Sequence, residues 1–358
     1  MALAPVAIIE QHIFQAKPGV SGAASNGQAE RGVLVEYVAL GRSGLKISRL
    51  VLGCMTFGSS GWAPWVLGED ETRPILHRAL DLGINTFDMA DMYSRGACEE
   101  IVGRALLDAR PRHELVLATK IFNPMSDDPN DRGLSRKHVF EGVDGCLRRL
   151  GTDYIDLLQL HRFDYDTPLE ETLDALNDVV RAGKVRYLGA SSMFAWQFMK
   201  ALGLQRANGW APFVSMQPHY NLIYREEERE MLPMCRTEGI GVIPWSPLAR
   251  GYLTRPHDEQ AATARGVYET DQQRQYGAGG GRKINERLQE LTDEYDASMA
   301  QMALAWLLKQ DVVTAPIVGT TSIEHLEAAV EAVDISLSDD DAAWLEEPYE
   351  PRPVSGHE

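Results

Sequence analysis

Short apolar runs alternate along this chain with longer stretches in which apolar side chains return every third or fourth position. The runs are Leu50–Gly53, Ile84–Phe87, Leu115–Thr119, Ile155–Leu160, Val185–Gly189, Phe213–Met216, Ile240–Ile243 and Thr314–Val318. They are short for helices, and apolar side chains on successive residues suit strands buried on both faces. Helical stretches follow them at 70–82, 97–108, 135–149, 168–182, 195–207, 225–238, 298–310 and 322–332, with a further one near 283–296. Eight strands alternating with amphipathic helices predict the α/β class and a (β/α)8 TIM barrel. A doubly wound sheet is the main alternative, but no GxGxxG turn leaves the first strand.

The flanks read differently. Tyr37–Leu40 and Leu45–Ile47 around Gly41-Arg42-Ser43-Gly44 predict an N-terminal β-hairpin. Residues 1–35, with Pro18-Gly19 and the small, polar segment Ser21–Gly32, lack periodicity and are expected to be a flexible extension. The barrel then covers 36–348, and 349–358 form a C-terminal tail. After strand seven, 252–282 hold Pro256, a polar run and the Gly277–Gly281 cluster. A loop of that length is either a lid or disordered, and its place at the catalytic face favours a lid.

Composition narrows the partners. The chain has 358 residues, 44% of them hydrophobic and 24% charged, which suits one large globular barrel and argues against disorder. Lys and Arg total 35 against 52 Asp and Glu, a net charge of −17 that phosphate backbones and anionic lipid would repel. Neither nucleic acid nor membrane is therefore an expected partner. The four cysteines form no CxxC pair, and the nine histidines include no HxH or HExxH, so no metal site is expected. A GxxxxGK[ST] phosphate loop is missing too. No apolar run could span a bilayer, and Met1–Ile9 lacks the basic start and cleavage site of a signal peptide. Reduced thiols in a cytoplasmic enzyme fit these features.

Polar residues where the apolar runs stop carry the chemistry. Asp88 follows Ile84–Phe87, Tyr93 lies five residues further on, Lys120 follows Leu115–Thr119, and His161 follows Ile155–Leu160. In a parallel barrel, successive strand ends meet at one face. These four side chains, without a cysteine or paired glutamates, suggest proton transfer through a phenol.

Six segments in order at the strand ends, INTFDMADMY, LATK, LLQLHR, LGASSM, SMQPHYNL and IPWSPLARG, resemble the aldo-keto reductase superfamily. The resemblance covers roughly 36–348. Within the superfamily, the chain looks most similar to bacterial reductases related to potassium-channel β-subunits, including those associated with 1-deoxyxylulose 5-phosphate formation. It implies an NADPH-dependent oxidoreductase that reduces an aldehyde or ketone, with Asp88, Tyr93, Lys120 and His161 as its tetrad. Tyr93 would donate the proton to the carbonyl oxygen. A free phenol titrates at about 10, so Lys120, held by Asp88, would lower the cost of phenolate. His161 would orient the carbonyl and steady the developing charge.

The resemblance also implies a cofactor site. Ser191, Ser192 and Gln217 would meet the carboxamide and Trp245 would stack on the nicotinamide, with Thr56 and Asp88 also at the cofactor. Ser246, Leu248, Arg250 and Gly251 would meet the diphosphate, and Gly319, Thr320, Thr321 and Ser322 the 2′-phosphate. Many relatives carry Arg or Lys in that last turn. Here His325 stands in place of Arg or Gln, and Ala328-Ala329 in place of an acidic residue and Asn. NADP(H) is still expected, with NAD(H) possible, and Arg265 or Arg282 could supply the missing charge. Trp62, Trp65, Phe122 and Phe163, on loops over the catalytic face, are expected to shape a pocket for a small carbonyl substrate. Arg162 would meet either an anionic substrate or a nearby carboxylate. Tyr220, Asn221, Tyr224 and Arg225–Glu230 read as helix-start structure. A second class of function is a nicotinamide-binding, redox-sensing regulatory subunit with slow turnover. The intact tetrad favours catalysis, and the oligomeric state is left open.

Overall fold

The computed structural model describes residues 35–262, 267–268 and 275–357. The expected N-terminal extension therefore lies, apart from Val35, outside the described residues, as does Arg265. Strands β1 (Tyr37–Ala39) and β2 (Lys46–Ser48) form the expected hairpin, with Tyr37 opposite Ser48. Eight parallel strands follow: β3 (Val51–Gly53), β4 (Thr86–Asp88), β5 (Val116–Ile121), β6 (Ile155–Leu160), β7 (Val185–Ser191), β8 (Phe213–Gln217), β9 (Gly241–Val242) and β10 (Ile317–Gly319). From β3 to β9 each pairs with the next, and β10 pairs with β3. Thr314 N donates to the Val242 carbonyl (2.8 Å) and Ile317 N to the Pro244 carbonyl (2.9 Å), which closes the ring between β9 and β10. This is a (β/α)8 barrel.

Ten helices accompany the strands among the described residues. They are α1 (Glu69–Asp81), α2 (Ala97–Ala109), α3 (Arg136–Leu150), α4 (Leu169–Arg181), α5 (Ala195–Asn208), α6 (Met231–Glu238), α7 (Gly281–Tyr295), α8 (Met299–Lys309), α9 (Ile323–Glu331) and α10 (Asp339–Glu346). Their apolar stripes pack on the outer face of the strands, where Leu117, Leu158 and Leu188 meet Val139, Leu176 and Phe198 in one core. A second core fills the barrel interior. In it, Leu40 and Ile47 of the hairpin meet Val51, Val116, Ala118, Leu157, Ile243 and Ile317, so the hairpin plugs the end where the strands start.

Strand alternation then decides the functional geometry. Val116 and Ala118 face inward, so Lys120 does too; Leu157 faces inward, so Gln159 and His161 follow at the same period.

Three expectations change. The expected helix at 225–238 is broken: a single 3₁₀ turn at Glu226–Glu228 precedes α6. Glu226 and Glu227 are turned inward and buried there, holding groups from the end of the chain. Helix α10 was not expected from the periodicity, although Ser338 caps it by accepting from Asp341 N. The described part of the 252–282 segment, expected as a long loop, carries regular turns. Its 3₁₀ turns at Ala249–Thr254 and His257–Ala262 are joined by Gln260, whose amide donates to the Tyr252 carbonyl (3.0 Å), and Asn285 donates to the carbonyls of Tyr252 (2.7 Å) and Arg255 (3.0 Å).

Candidate active site

At the strand ends, Lys120 is fully buried and donates from Nζ to Asp88 Oδ2 (2.6 Å), the Met89 carbonyl (2.7 Å) and Tyr93 Oη (3.3 Å). An ammonium removed from water needs such a set of partners, because an unpaired buried charge costs several kcal/mol. Asp88 Oδ1 accepts from Gln159 Nε2 and Gln217 Nε2, both at 2.9 Å. Gln217 Nε2 also reaches Gln159 Oε1 (3.0 Å). Both protons of the Gln217 amide are thus spent inside the barrel, and Oε1 is the part of that side chain left for a ligand. Gln159 was passed over in the sequence. Its signal was a lone amide within the apolar run Ile155–Leu160, two residues before His161.

Tyr93 sits on a strained turn. Ser94 and Arg95 both take left-handed backbone, at φ 49° and 51°, a conformation costing about 1 kcal/mol or more per non-glycine residue. Ser59 N donates to Ser94 Oγ (3.2 Å), and Gly58 permits that approach because a Cβ there would lie 2.2 Å from the same oxygen. The Tyr93 and His161 rings meet edge to face, with centroids 5.9 Å apart. The Asn123 amide faces His161 Nδ1 at 3.1 Å. An amide nitrogen only donates, so Nδ1 accepts and the ring proton lies on Nε2.

Electrostatics sharpen these roles. Burial first, and then Lys120 and Arg162, hold His161 well below the ordinary histidine range, so the ring is neutral. Burial pulls the Lys120 ammonium down, but Asp88 and Tyr93 outweigh it and leave Lys120 above the usual lysine value. For Tyr93, burial pushes the phenol up, and Lys120 recovers only part of that rise. Lys120 therefore lowers the cost of phenolate without bringing the phenol below its ordinary value. Lys120 pulls in the expected direction, but desolvation is the larger effect. Nearby Asp91, unremarked in the sequence, is buried and pushed up to about 8 by desolvation and by Glu99.

On the far side of the mouth, Trp245 Nε1 donates to Ser192 Oγ (3.0 Å) and Ser191 Oγ donates to the Gln217 carbonyl (2.8 Å). Trp245 stacks on His219 at 4.1 Å, and His219 stacks on Tyr224 at 4.0 Å, so one indole face is backed by a column of rings. His219 lies within the SMQPHYNL segment but was not singled out. Tyr224, read only as helix-start structure, forms the base of that column. Ser246, Ala249, Arg250 and Gly251 all take positive φ, a sharp turn closed by Ala249 N donating to the Ser246 carbonyl and Gly251 N to the Leu248 carbonyl, both at 2.9 Å. Leu248 packs against the outer core. Thr56 Oγ1 donates to the Thr320 carbonyl (2.8 Å), joining the loop after β3 to the turn after β10. Thr320 Oγ1 accepts from Ser322 N (3.1 Å), and Ser322 Oγ caps α9 by accepting from His325 N (3.2 Å). Gly319, Thr321 and His325 are exposed. Arg282 is paired on the surface with Glu286 (3.1 Å), an exposed pair of the weak kind.

The aromatics divide. Trp62 lies 6.2 Å from the Tyr93 ring and 6.0 Å from Trp65, forming a wall beside the phenol. Phe122 is half-buried on the outer core. Phe163 packs with Tyr165 (5.0 Å) and Trp196 (6.3 Å). Arg162 donates to the His161 carbonyl (2.6 Å) and makes no ion pair among the described residues.

Known proteins are similar to this chain along most of its length. The sequence model described as the aldo/keto reductase family matches residues 49–350. An aldo-keto reductase of Fusarium vanettenii is 44% identical, over 90% of this chain and 93% of its own length. The versiconal hemiacetal acetate reductase of Aspergillus parasiticus is 44% identical, over 89% of this chain and 98% of its own. A Schizosaccharomyces pombe protein named aryl-alcohol dehydrogenase is 45% identical, over 89% and 97%. These fungal relatives give no support to the expected place in the bacterial branch related to channel β-subunits.

Proposed function

Because the chain belongs to the aldo/keto reductase family, we propose that it reduces an aryl aldehyde or ketone to the alcohol, with Tyr93 as proton donor and NADPH preferred over NADH. The reading rests on the Lys120 ammonium seated between Asp88 and Tyr93 Oη. A bound nicotinamide would supply the hydride. The residues present fit such a group: Trp245, fixed through Nε1 and backed by His219, offers a flat face, and Ser191, Ser192 and Gln217 Oε1 lie beside it. At the Ala249–Gly251 turn, where the Ala249 and Gly251 N–H groups already donate within the turn, the Arg250 guanidinium would meet the diphosphate.

Tyr93 keeps its proton at neutral pH and releases it to an oxygen that becomes more basic as the carbonyl is reduced. Lys120 stabilises the phenolate left behind, and Asp88 holds Lys120 in register with Gln159 and Gln217 as props. Neutral His161 aims Nε2–H at the same oxygen, so two donors converge on one acceptor. The aryl class is supported by the Trp62–Tyr93 wall and by the name of the Schizosaccharomyces pombe relative.

At the adenosine end, the α9 turn offers hydroxyls and His325 but no Arg or Lys, while Glu324 in the first helical turn folds its carboxylate onto its own N–H and Ser322. NADPH preference is therefore expected to be shallow, with measurable NADH turnover. The test follows nicotinamide absorbance with an aryl aldehyde and with NADPH and NADH side by side. Steady turnover is expected, and Tyr93→Phe should lower it by about 10²–10⁴-fold while cofactor still binds. One stoichiometric oxidation without turnover would favour a redox-sensing subunit instead.

A further inference from the structure

Residues 352–357 lie past the stretch matched by the family model, which ends at 350, yet they are tied to the mouth of the barrel at every turn. Pro351 and Pro353 fix two φ angles, so little chain freedom is lost when this segment is laid down. Glu226 Oε1 accepts from both Tyr349 Oη and Arg352 N at 2.7 Å. The Arg352 guanidinium donates to the carbonyls of Gln275 (2.7 Å) and Tyr276 (3.0 Å). Further on, His357 Nε2 meets Glu227 Oε1 at 3.1 Å, with both side chains buried. The imidazole stands edge-on to Phe194 with centroids 4.7 Å apart, and the His357 carbonyl accepts from Tyr165 Oη (3.3 Å).

Between these anchors, two adjacent residues grip the ring column from both ends. Ser355 N donates to Tyr224 Oη (2.8 Å), at the base of the Tyr224–His219–Trp245 stack. Gly356, at φ 87°, lies against the opposite end: a Cβ there would stand 3.2 Å from Trp245 Cζ2 and 3.9 Å from Ser192 Oγ. A side chain at this position would be strained by its backbone and pressed into the indole. Glycine lets the backbone itself act as the stop for the Trp245 edge.

We propose that Arg352–His357 is a strap that positions Trp245 and Ser192, with His357–Glu227 as its latch, and so sets how tightly the nicotinamide end of the cofactor is held. The idea rests on the cofactor reading above, but the strap can be read without cofactor. In the ligand-free full-length protein, His357→Ala should increase acrylamide quenching of tryptophan emission, and the increase should vanish when Trp245→Phe is added. The same variant should raise the NADPH Kd roughly tenfold, about 1.4 kcal/mol, and leave kcat at saturating cofactor within about twofold. His357→Gln, which keeps a donor toward Glu227, should recover most of the affinity. Gly356→Val should reproduce both effects with the latch residues intact. A lower Tm with unchanged quenching and unchanged Kd in both variants would overturn the strap and leave a merely structural tail. Were the wild type to bind no nicotinamide, the cofactor reading would fall, and the quenching arm alone would decide the strap.

Discussion

Replacing Lys120 with Met removes the cation from a buried pair whose partners expose 0% and 4% of their side-chain area. Asp88 keeps its bonds from Gln159 and Gln217, but both arrive at Oδ1, so Oδ2 is left charged with no hydrogen-bond donor from the lysine. Breaking a buried pair from one side typically costs about 3–5 kcal/mol. Asp88→Asn should cost a comparable amount, because it strands the ammonium with only the Met89 carbonyl and Tyr93 Oη. In the double variant no charge remains, and the amide oxygen introduced by Asp88→Asn can still accept from both glutamines. Neutral replacement of a whole buried pair is often close to neutral in stability, so the two losses should not add. The coupling is expected to be about 3 kcal/mol or more by urea unfolding of the four proteins. Carbonyl reduction should behave differently and stay crippled in all three variants, since Tyr93 has lost its cation or the cation its anchor. Coupling below about 1 kcal/mol would refute the shared buried charge. Recovery of activity in the double variant would refute the dependence of Tyr93 on Lys120.

Three further outcomes are expected. Because burial holds the Tyr93 phenol above its ordinary value, this group should leave reduction flat through neutral pH, while alcohol oxidation, which needs phenolate, should keep rising at alkaline pH; an oxidation plateau reached near pH 8 would contradict this. Asp91 is pushed up to about 8, so the unfolded chain loses this proton first and stability should fall as pH rises from about 4 toward that value, by up to about 1.4 kcal/mol per unit. Asp91→Asn should flatten that fall by at least about 1 kcal/mol between pH 5 and 8 in urea unfolding, and an unchanged slope would remove Asp91 from the account. Thr321→Arg, which adds a cation to the exposed turn and spares the Ser322 cap, should raise the NADPH-to-NADH ratio of kcat/KM by roughly tenfold, as one charged hydrogen bond of about 1.5–3 kcal/mol implies.

The barrel was legible in the sequence because its strands and helices follow from local periodicity. Apolar runs marked the strands, and Asp88, Lys120 and His161 stood out as polar residues where those runs stopped. Gln159, a lone amide inside the run Ile155–Leu160, was visible too and was overlooked. What the tertiary structure alone decided concerns residues brought together across long separations. Glu226 and Glu227 look like an exposed acidic helix start, yet they are 7% and 4% exposed, because Tyr349, Arg352 and His357 arrive from more than 120 residues away to pair with them. The direction of the Tyr93 shift was equally out of reach. Sequence places a lysine near a phenol, but the outcome depends on how much water the fold removes from both, and here desolvation exceeds the pull of the ammonium. A backbone repeat of two or 3.6 residues is written in neighbouring positions, whereas burial is a sum over everything that packs nearby, and only the closed barrel fixes that sum.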